Sequence, residues 1–115
     1  MATRSILIVE DESLIAMMLE DFIDTLGHAV AGTEDTLEGA LAQAQAGGFD
    51  LAILDVHLHG KACWPVADAL ADRDIPFILA TGGHTEAPPE RHAAAPVLSK
   101  PFTLNGIEQA IDSFA

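Results

Sequence analysis

Cysteine is nearly absent from this chain: Cys63 stands alone, so no disulfide framework staples the fold and a reducing compartment is expected. Positive charge is scarce too. Five Lys and Arg face 18 Asp and Glu, for a formal net charge of −13. Arg4, Lys61, Arg73, Arg91 and Lys100 are too few and too scattered for the basic footprint of a nucleic-acid binder, so direct DNA or RNA binding is not expected. No apolar run approaches the roughly 20 residues that cross a bilayer. Met1–Ser5 also lacks the charged start and long apolar stretch of a signal peptide, so the expectation is a cytoplasmic protein without membrane contact.

Hydrophobic residues make up 50% of the chain and mean hydropathy is +0.28, which excludes a disordered polymer. At 115 residues the expectation is a single domain spanning 1–115. The acidity fits either general solubility or a carboxylate cluster that binds a cation. Only the order of residues along the chain separates those readings.

Ser5–Val9 is a short aliphatic and β-branched run, the mark of a strand buried on both faces, and it stops at Glu10-Asp11-Glu12. Ile15, Leu19, Phe22 and Leu26 then recur at helical spacing, with Met18 beside them, until Gly27. His28–Thr33 reads as a weaker strand. Asp35 and Glu38 suggest a capping box for a helix running to Gly47-Gly48. Asp50–Leu54 is a buried strand ended by Asp55, followed by a loop. Pro65 opens a helix containing Val66, Ala69 and Leu70. Pro76–Ala80 forms the fourth strand, closed by Thr81-Gly82-Gly83. Between His84 and Ala95, Pro88-Pro89 rule out a long helix, and Glu90–Ala94 makes one turn at most. Pro96–Leu98 is a fifth strand before Ser99-Lys100-Pro101. Thr103 caps a last helix whose face carries Leu104, Ile107, Ile111 and Phe114.

Five alternations of strand and helix predict an α/β fold, a doubly wound five-stranded parallel sheet with strand order 2-1-3-4-5 and a short or irregular fourth helix. In such sheets the functional crevice lies outside the carboxyl ends of the strands. Glu10 and Asp11 follow the first strand, Asp55 the third, Thr81 the fourth and Lys100 the fifth. Groups distant in sequence therefore share one rim. At about 5 Å and an effective dielectric near 20, each pair of carboxylates there repels by roughly 3 kcal/mol. Such a cluster protonates or recruits cations, and Mg²⁺ suits hard oxygen donors. An aspartate beside a divalent ion, a hydroxyl and an ammonium is equipped for phosphoryl transfer, with Asp55, Thr81 and Lys100 as the catalytic groups. Gly82 and Gly83 leave room for the phosphoryl oxygens.

These motifs, taken in order, resemble the response-regulator receiver family over nearly the whole chain. The resemblance implies a flavodoxin-like receiver fold and a role as phosphoacceptor in two-component signalling. It makes Asp55 the phosphorylation site and assigns Mg²⁺ to Glu10, Asp11, Asp55 and the backbone carbonyl of His57. It also implies that Thr81 and Lys100 clamp the phosphoryl group, and that the Lys100–Pro101 bond is cis. The implied partner is a sensor histidine kinase or histidine phosphotransfer protein, meeting Leu14, Met17, Met18 and Pro101. Beyond it stands an unknown downstream protein, with the chain itself a monomer or weak dimer. With no effector sequence after Ala115, output is expected by protein contact or as a phosphate sink. Pro76–Gly83 is similar to the Pro-Phe-x-Phe-Ala-Thr-Gly segment of the FAT-GUY subclass of bacterial receivers, with Leu79 where that subclass has Phe.

One departure from the receiver pattern is Val97, which stands where many receivers carry a Tyr or Phe that swings inward on activation. A phosphorylation-independent interaction module is thus the alternative. Asp55-Val56-His57 lacks the second Asp of haloacid-dehalogenase phosphohydrolases. Acids after the first strand would repel the phosphate of a flavodoxin-type FMN. His57, His59, Cys63 and His84 match no structural zinc spacing; His57, two residues past the acceptor, is expected to line the pocket and tune acyl-phosphate hydrolysis. Trp64 with Pro65 is expected to staple the third helix.

Overall fold

The structure, a computed structural model, describes residues 3–82 and 88–114, so the expectations for Gly83 and His84 lie outside the described residues. Its elements in chain order are β1 (Ser5–Val9), α1 (Ser13–Thr25), β2 (Ala29–Glu34), α2 (Leu37–Ala46) and β3 (Leu51–Asp55). Next come two short strands, β4 (His57–Leu58) and β5 (Lys61–Ala62), then α3 (Trp64–Asp72) and β6 (Phe77–Thr81). A 3₁₀ turn (Glu90–His92), β7 (Val97–Ser99) and α4 (Leu104–Asp112) complete the chain.

Five parallel strands form one sheet in the order β2-β1-β3-β6-β7, which is the expected 2-1-3-4-5 once the two short strands are set aside. Alternating side chains bury both faces of its central strands. Leu7, Val9, Ala52, Leu54 and Leu79 pack beneath α2 and α3 with Ala40, Ala44, Val66 and Leu70. Ile6, Ile8, Leu51, Ile53 and Ile78 point the other way, toward Leu19 and Ile23 of α1 and Ile107 and Ile111 of α4. The central runs in β1, β3 and β6 are buried because each contributes to two cores, whereas the edge strands β2 and β7 stay largely exposed.

Several boundaries depart from the sequence reading. The α1 stripe is turned: Ala16, Leu19 and Ile23 are its buried residues, while Ile15, Phe22 and Leu26 flank the core half-covered. On α4, Ile107, Ala110 and Ile111 are buried but Leu104, in the first turn, is exposed. The α2 cap is Thr36, not Asp35: its hydroxyl accepts from the Gly39 N–H at 3.0 Å, and Glu38 turns outward to Lys61 Nζ at 3.3 Å. Thr103 caps α4 as expected, accepting from the Gly106 N–H at 3.0 Å. Where a plain loop was expected after Asp55, β4 and β5 pair antiparallel as a small hairpin. The short fourth helix is as expected, a single 3₁₀ turn at Glu90–His92.

Candidate functional site

The carboxyl ends of β1, β3, β6 and β7 bring Glu10, Asp55, Thr81 and Lys100 to one rim. Glu10 and Asp55 are buried, as is Thr81 at the end of β6. The Lys100 N–H donates to the Thr81 carbonyl at 2.8 Å, fastening the tips of β6 and β7. Lys100 Nζ lies 2.9 Å from Glu10 Oε1 and 3.1 Å from Asp55 Oδ2, and donates a hydrogen bond to the latter. The other Asp55 oxygen accepts from the His57 N–H at 3.3 Å. Glu10 Oε2 accepts from the Glu12 N–H at 3.1 Å. Asp11, half-buried at the edge, accepts from the His59 N–H at 2.9 Å. The Lys100–Pro101 bond is cis, as the resemblance implies.

The electrostatics follow from this crowding. Burial raises the Glu10 carboxyl to about 7 from an ordinary 4.5; neighbouring Asp55 adds to the rise, and Lys100 and the Glu12 N–H oppose it. Burial alone would raise Asp11 as well, but the His59 N–H and the hydrogen bonds to Glu10 and Asp55 hold it below its ordinary value. Burial would lower Lys100, yet its contacts with Glu10 and Asp55 outweigh that and keep the ammonium charged.

Oxygen atoms of Glu10, Asp11 and Asp55 all come within 4.8 Å of one another, a set that could hold a metal ion. Glu10 Oε1 is buried with no well-aligned hydrogen bond, despite the ammonium nearby. A buried carboxylate oxygen without a directional partner, in a cluster of oxygen donors only, fits a hard divalent cation such as Mg²⁺. The thiol of Cys63, buried and outside that cluster, is pushed up to about 12 by burial, aided by the Asp55 charge. His57 and His59 expose their side chains at this rim rather than joining the carboxylate set.

The four residues singled out for docking are placed unequally. Leu14 and Met17 are 80% and 62% exposed on α1, and Pro101 is exposed as well, whereas Met18 is half-buried against the α1 core. Leu14, Met17 and Met18 line one shallow depression with Glu20 and Asp21, and Met17 also borders a neighbouring one with Glu10 and Asp11. Val97 is 52% exposed on β7.

Two relationships were not found by sequence reasoning. One is the hold of the hairpin on Asp11. The other is His92, buried between Trp64, stacked at 6.1 Å, and the edge of Phe77 at 5.4 Å, with Nε2 2.7 Å from Asp68 Oδ1. Trp64 thus faces His92 as well as opening α3. No periodic pattern around Pro88-Pro89 announces that imidazole, and two-residue strands leave almost no signal.

Residues 6–112 match the model of the response regulator receiver domain. The chain is 53% identical to SdrG from Sphingomonas melonis Fr1, whose solution structure superimposes with a TM-score of 0.86 and 98% coverage of both chains. The BeF3-activated conformation of SdrG from Pseudomonas melonis Fr1 is similar at 52% identity and TM-score 0.81, covering 99% of this chain and 98% of that one. The phyllosphere-induced regulator PhyR of Methylorubrum extorquens is 35% identical over 115 residues, which take in 96% of this chain and 43% of that relative. This chain therefore spans less than half the length of that curated relative.

Proposed function

The chain belongs to the response-regulator receiver family, and from that premise we propose that it accepts a phosphoryl group on Asp55 from a sensor histidine kinase or histidine phosphotransfer protein. The observation that carries this reading is the position of Lys100 Nζ, 2.9 Å from Glu10 and 3.1 Å from Asp55 at the carboxyl rim of the sheet. A fixed ammonium beside a buried carboxylate lowers the cost of bringing a dianionic phosphoryl group there. An Asp55 oxygen attacks phosphorus in line with the donor's P–N bond. That bond breaks, and an acyl phosphate forms. Lys100 then exchanges its contact with Asp55 for one with a phosphoryl oxygen, and the Thr81 hydroxyl donates to another. Glu10, Asp11, Asp55 and the His57 carbonyl would hold Mg²⁺, which when bound would neutralise phosphoryl oxygens beyond those that Lys100 meets. Loss of the group occurs by hydrolysis, with His57 at the entrance to tune it.

The donor would dock on Leu14 and Met17 of α1, with Met18 and Pro101 at the edges of the contact. Output passes to a downstream protein or ends with the chain as a phosphate sink.

The test is acetyl-phosphate labelling with Mg²⁺, followed by intact mass. Wild type should gain one phosphoryl group and Asp55→Asn none. Label on both proteins would move the acceptor elsewhere, and label on neither would remove the phosphoacceptor reading. A second reading, an interaction module indifferent to phosphorylation, is favoured by Val97, which has no ring to swing inward. It predicts partner binding that does not change when beryllofluoride occupies the site.

A further inference from the structure

We propose that the β4–β5 hairpin is a positioning device for Asp11: the His59 backbone N–H, at the hairpin tip, holds Asp11 Oδ2 and so fixes a carboxylate that has an oxygen within 4.8 Å of oxygens of Glu10 and Asp55. This rests on the reading of Glu10, Asp11 and Asp55 as a Mg²⁺ site. Asp11 follows β1 and His59 lies 48 residues further along, yet the N–H to Oδ2 distance is 2.9 Å.

The hairpin is built to put that N–H there. Leu58 pairs with Lys61, so His59 and Gly60 alone form the turn. Their φ values are +49° and +81°, two positive angles in succession, as primed two-residue hairpin turns require. Behind the turn the hairpin is anchored. Leu58 is buried in the core beneath α3. The Cys63 N–H donates to the Val56 carbonyl at 2.8 Å and closes the hairpin base. The tip is therefore a rigid extension of β3, and Asp11 is held against it instead of sampling its rotamers in solvent.

The His59 imidazole is not what makes this contact; the side chain is exposed and only the backbone donates. Histidine at a φ of +49° is held in a conformation that costs a non-glycine residue free energy, so the turn is maintained by its anchors. It follows that a residue tolerant of positive φ should serve as well as His59, and one without an N–H should not. Groups that orient a metal's ligands are worth about 10- to 100-fold in metal affinity.

The experiment is calorimetric Mg²⁺ titration of the full chain, with acetyl-phosphate labelling at saturating Mg²⁺ as the second readout. His59→Gly keeps the N–H and the turn and should bind within about twofold of wild type. His59→Pro deletes the donor and, with φ locked at about −65°, breaks the turn as well; it should bind about tenfold more weakly, with labelling restored when Mg²⁺ is raised. Gly60→Ala meets no atom within 4 Å and strains only the turn, so it decides the matter if His59→Pro fails to fold; it should bind several-fold more weakly. Wild-type affinity in His59→Pro, or in Gly60→Ala where that variant decides, would overturn the positioning role. So would a labelling defect that saturating Mg²⁺ does not repair. If wild type itself binds no Mg²⁺, the underlying site reading fails and this inference with it.

Discussion

Lys100 Nζ sits 2.9 Å from a Glu10 oxygen that has no well-aligned hydrogen bond. One ammonium is shared by two buried carboxylates, so the metal-free site carries an excess of negative charge that it relieves by holding a proton. A proton on Glu10 and the divalent ion proposed for this site are alternative ways to relieve that charge beside the lysine.

The proton can be followed by pH. Glu10 in the folded protein titrates at about 7 against an ordinary 4.5, so the folded state binds this proton more tightly than the unfolded state. Its stabilising contribution is complete below the unfolded value and is lost as pH rises through the folded one. Metal-free wild type should therefore lose stability relative to Glu10→Gln across that window, and Mg²⁺ affinity of wild type should rise over the same window. Denaturant midpoints in chelator at several pH values give the comparison. Parallel profiles for the two proteins would contradict the raised Glu10.

Removing the cation should be costly in the other direction. Lys100→Met leaves Glu10 and Asp55 facing each other with no counter-charge. Because Glu10 can protonate and Lys100 is partly solvent-accessible, we expect a loss of about 2 kcal/mol at neutral pH, less than for a fully sealed pair. The loss should shrink as pH falls. Urea unfolding in chelator measures it, and a variant as stable as wild type at neutral pH would mean that the ammonium does not balance these carboxylates.

His92 and Asp68 tie the 3₁₀ turn to α3, with the imidazole Nε2 2.7 Å from the carboxylate and its ring between Trp64 and Phe77. Arg91 lies 3.4 Å from the same Asp68 oxygen, so the carboxylate serves two neighbours. A double-mutant cycle with His92→Phe and Asp68→Ala should return a coupling near 1 kcal/mol, since the ring's packing survives in Phe and only the polar contact is lost. A coupling near zero would mean that packing alone holds the turn.

The α2 cap distinguishes two adjacent residues. Thr36→Ala removes the hydroxyl that accepts from the Gly39 N–H and should cost about 1 kcal/mol. Asp35→Ala should cost much less, although the Asp35–Glu38 spacing looks like a capping box. Equal losses would return the cap to Asp35.

That contrast shows what the sequence can and cannot convey. The three central strands were legible because their short apolar runs need burial on two faces, and alternation with helices then places the weaker edge strands β2 and β7. The rim followed from topology: Glu10, Asp55, Thr81 and Lys100 converge because parallel strands end on one side. Single-residue choices were not legible. Asp35 and Thr36 are both good caps, and only the entry angle of the chain selects between them. The α1 stripe is turned because Ala16 and Ile23 fit the spacing as well as Ile15 and Phe22 do, and contact with the sheet decides. The His59–Asp11 and His92–Asp68 contacts join segments 48 and 24 residues apart, through a backbone group in one case and an isolated buried ring in the other. Neither has a local pattern to betray it.

The proposed docking face offers a test that separates chemistry from recognition. Leu14 and Met17 are exposed apolar side chains on α1, and Met17 borders the depression that contains Glu10 and Asp11. Because both side chains lie largely in solvent, Leu14→Gln with Met17→Gln should leave stability within about 0.5 kcal/mol of wild type. Labelling by acetyl phosphate needs only the rim and should be unchanged. Transfer from a histidine phosphotransfer protein needs the surface, and losing two apolar contacts at the centre of an interface should slow it about tenfold or more. Rapid-quench measurement of both reactions on the same double variant makes the comparison internal. Equal rates with the protein donor would place docking elsewhere on the chain, and a matching loss with acetyl phosphate would show that the substitutions had disturbed the site itself.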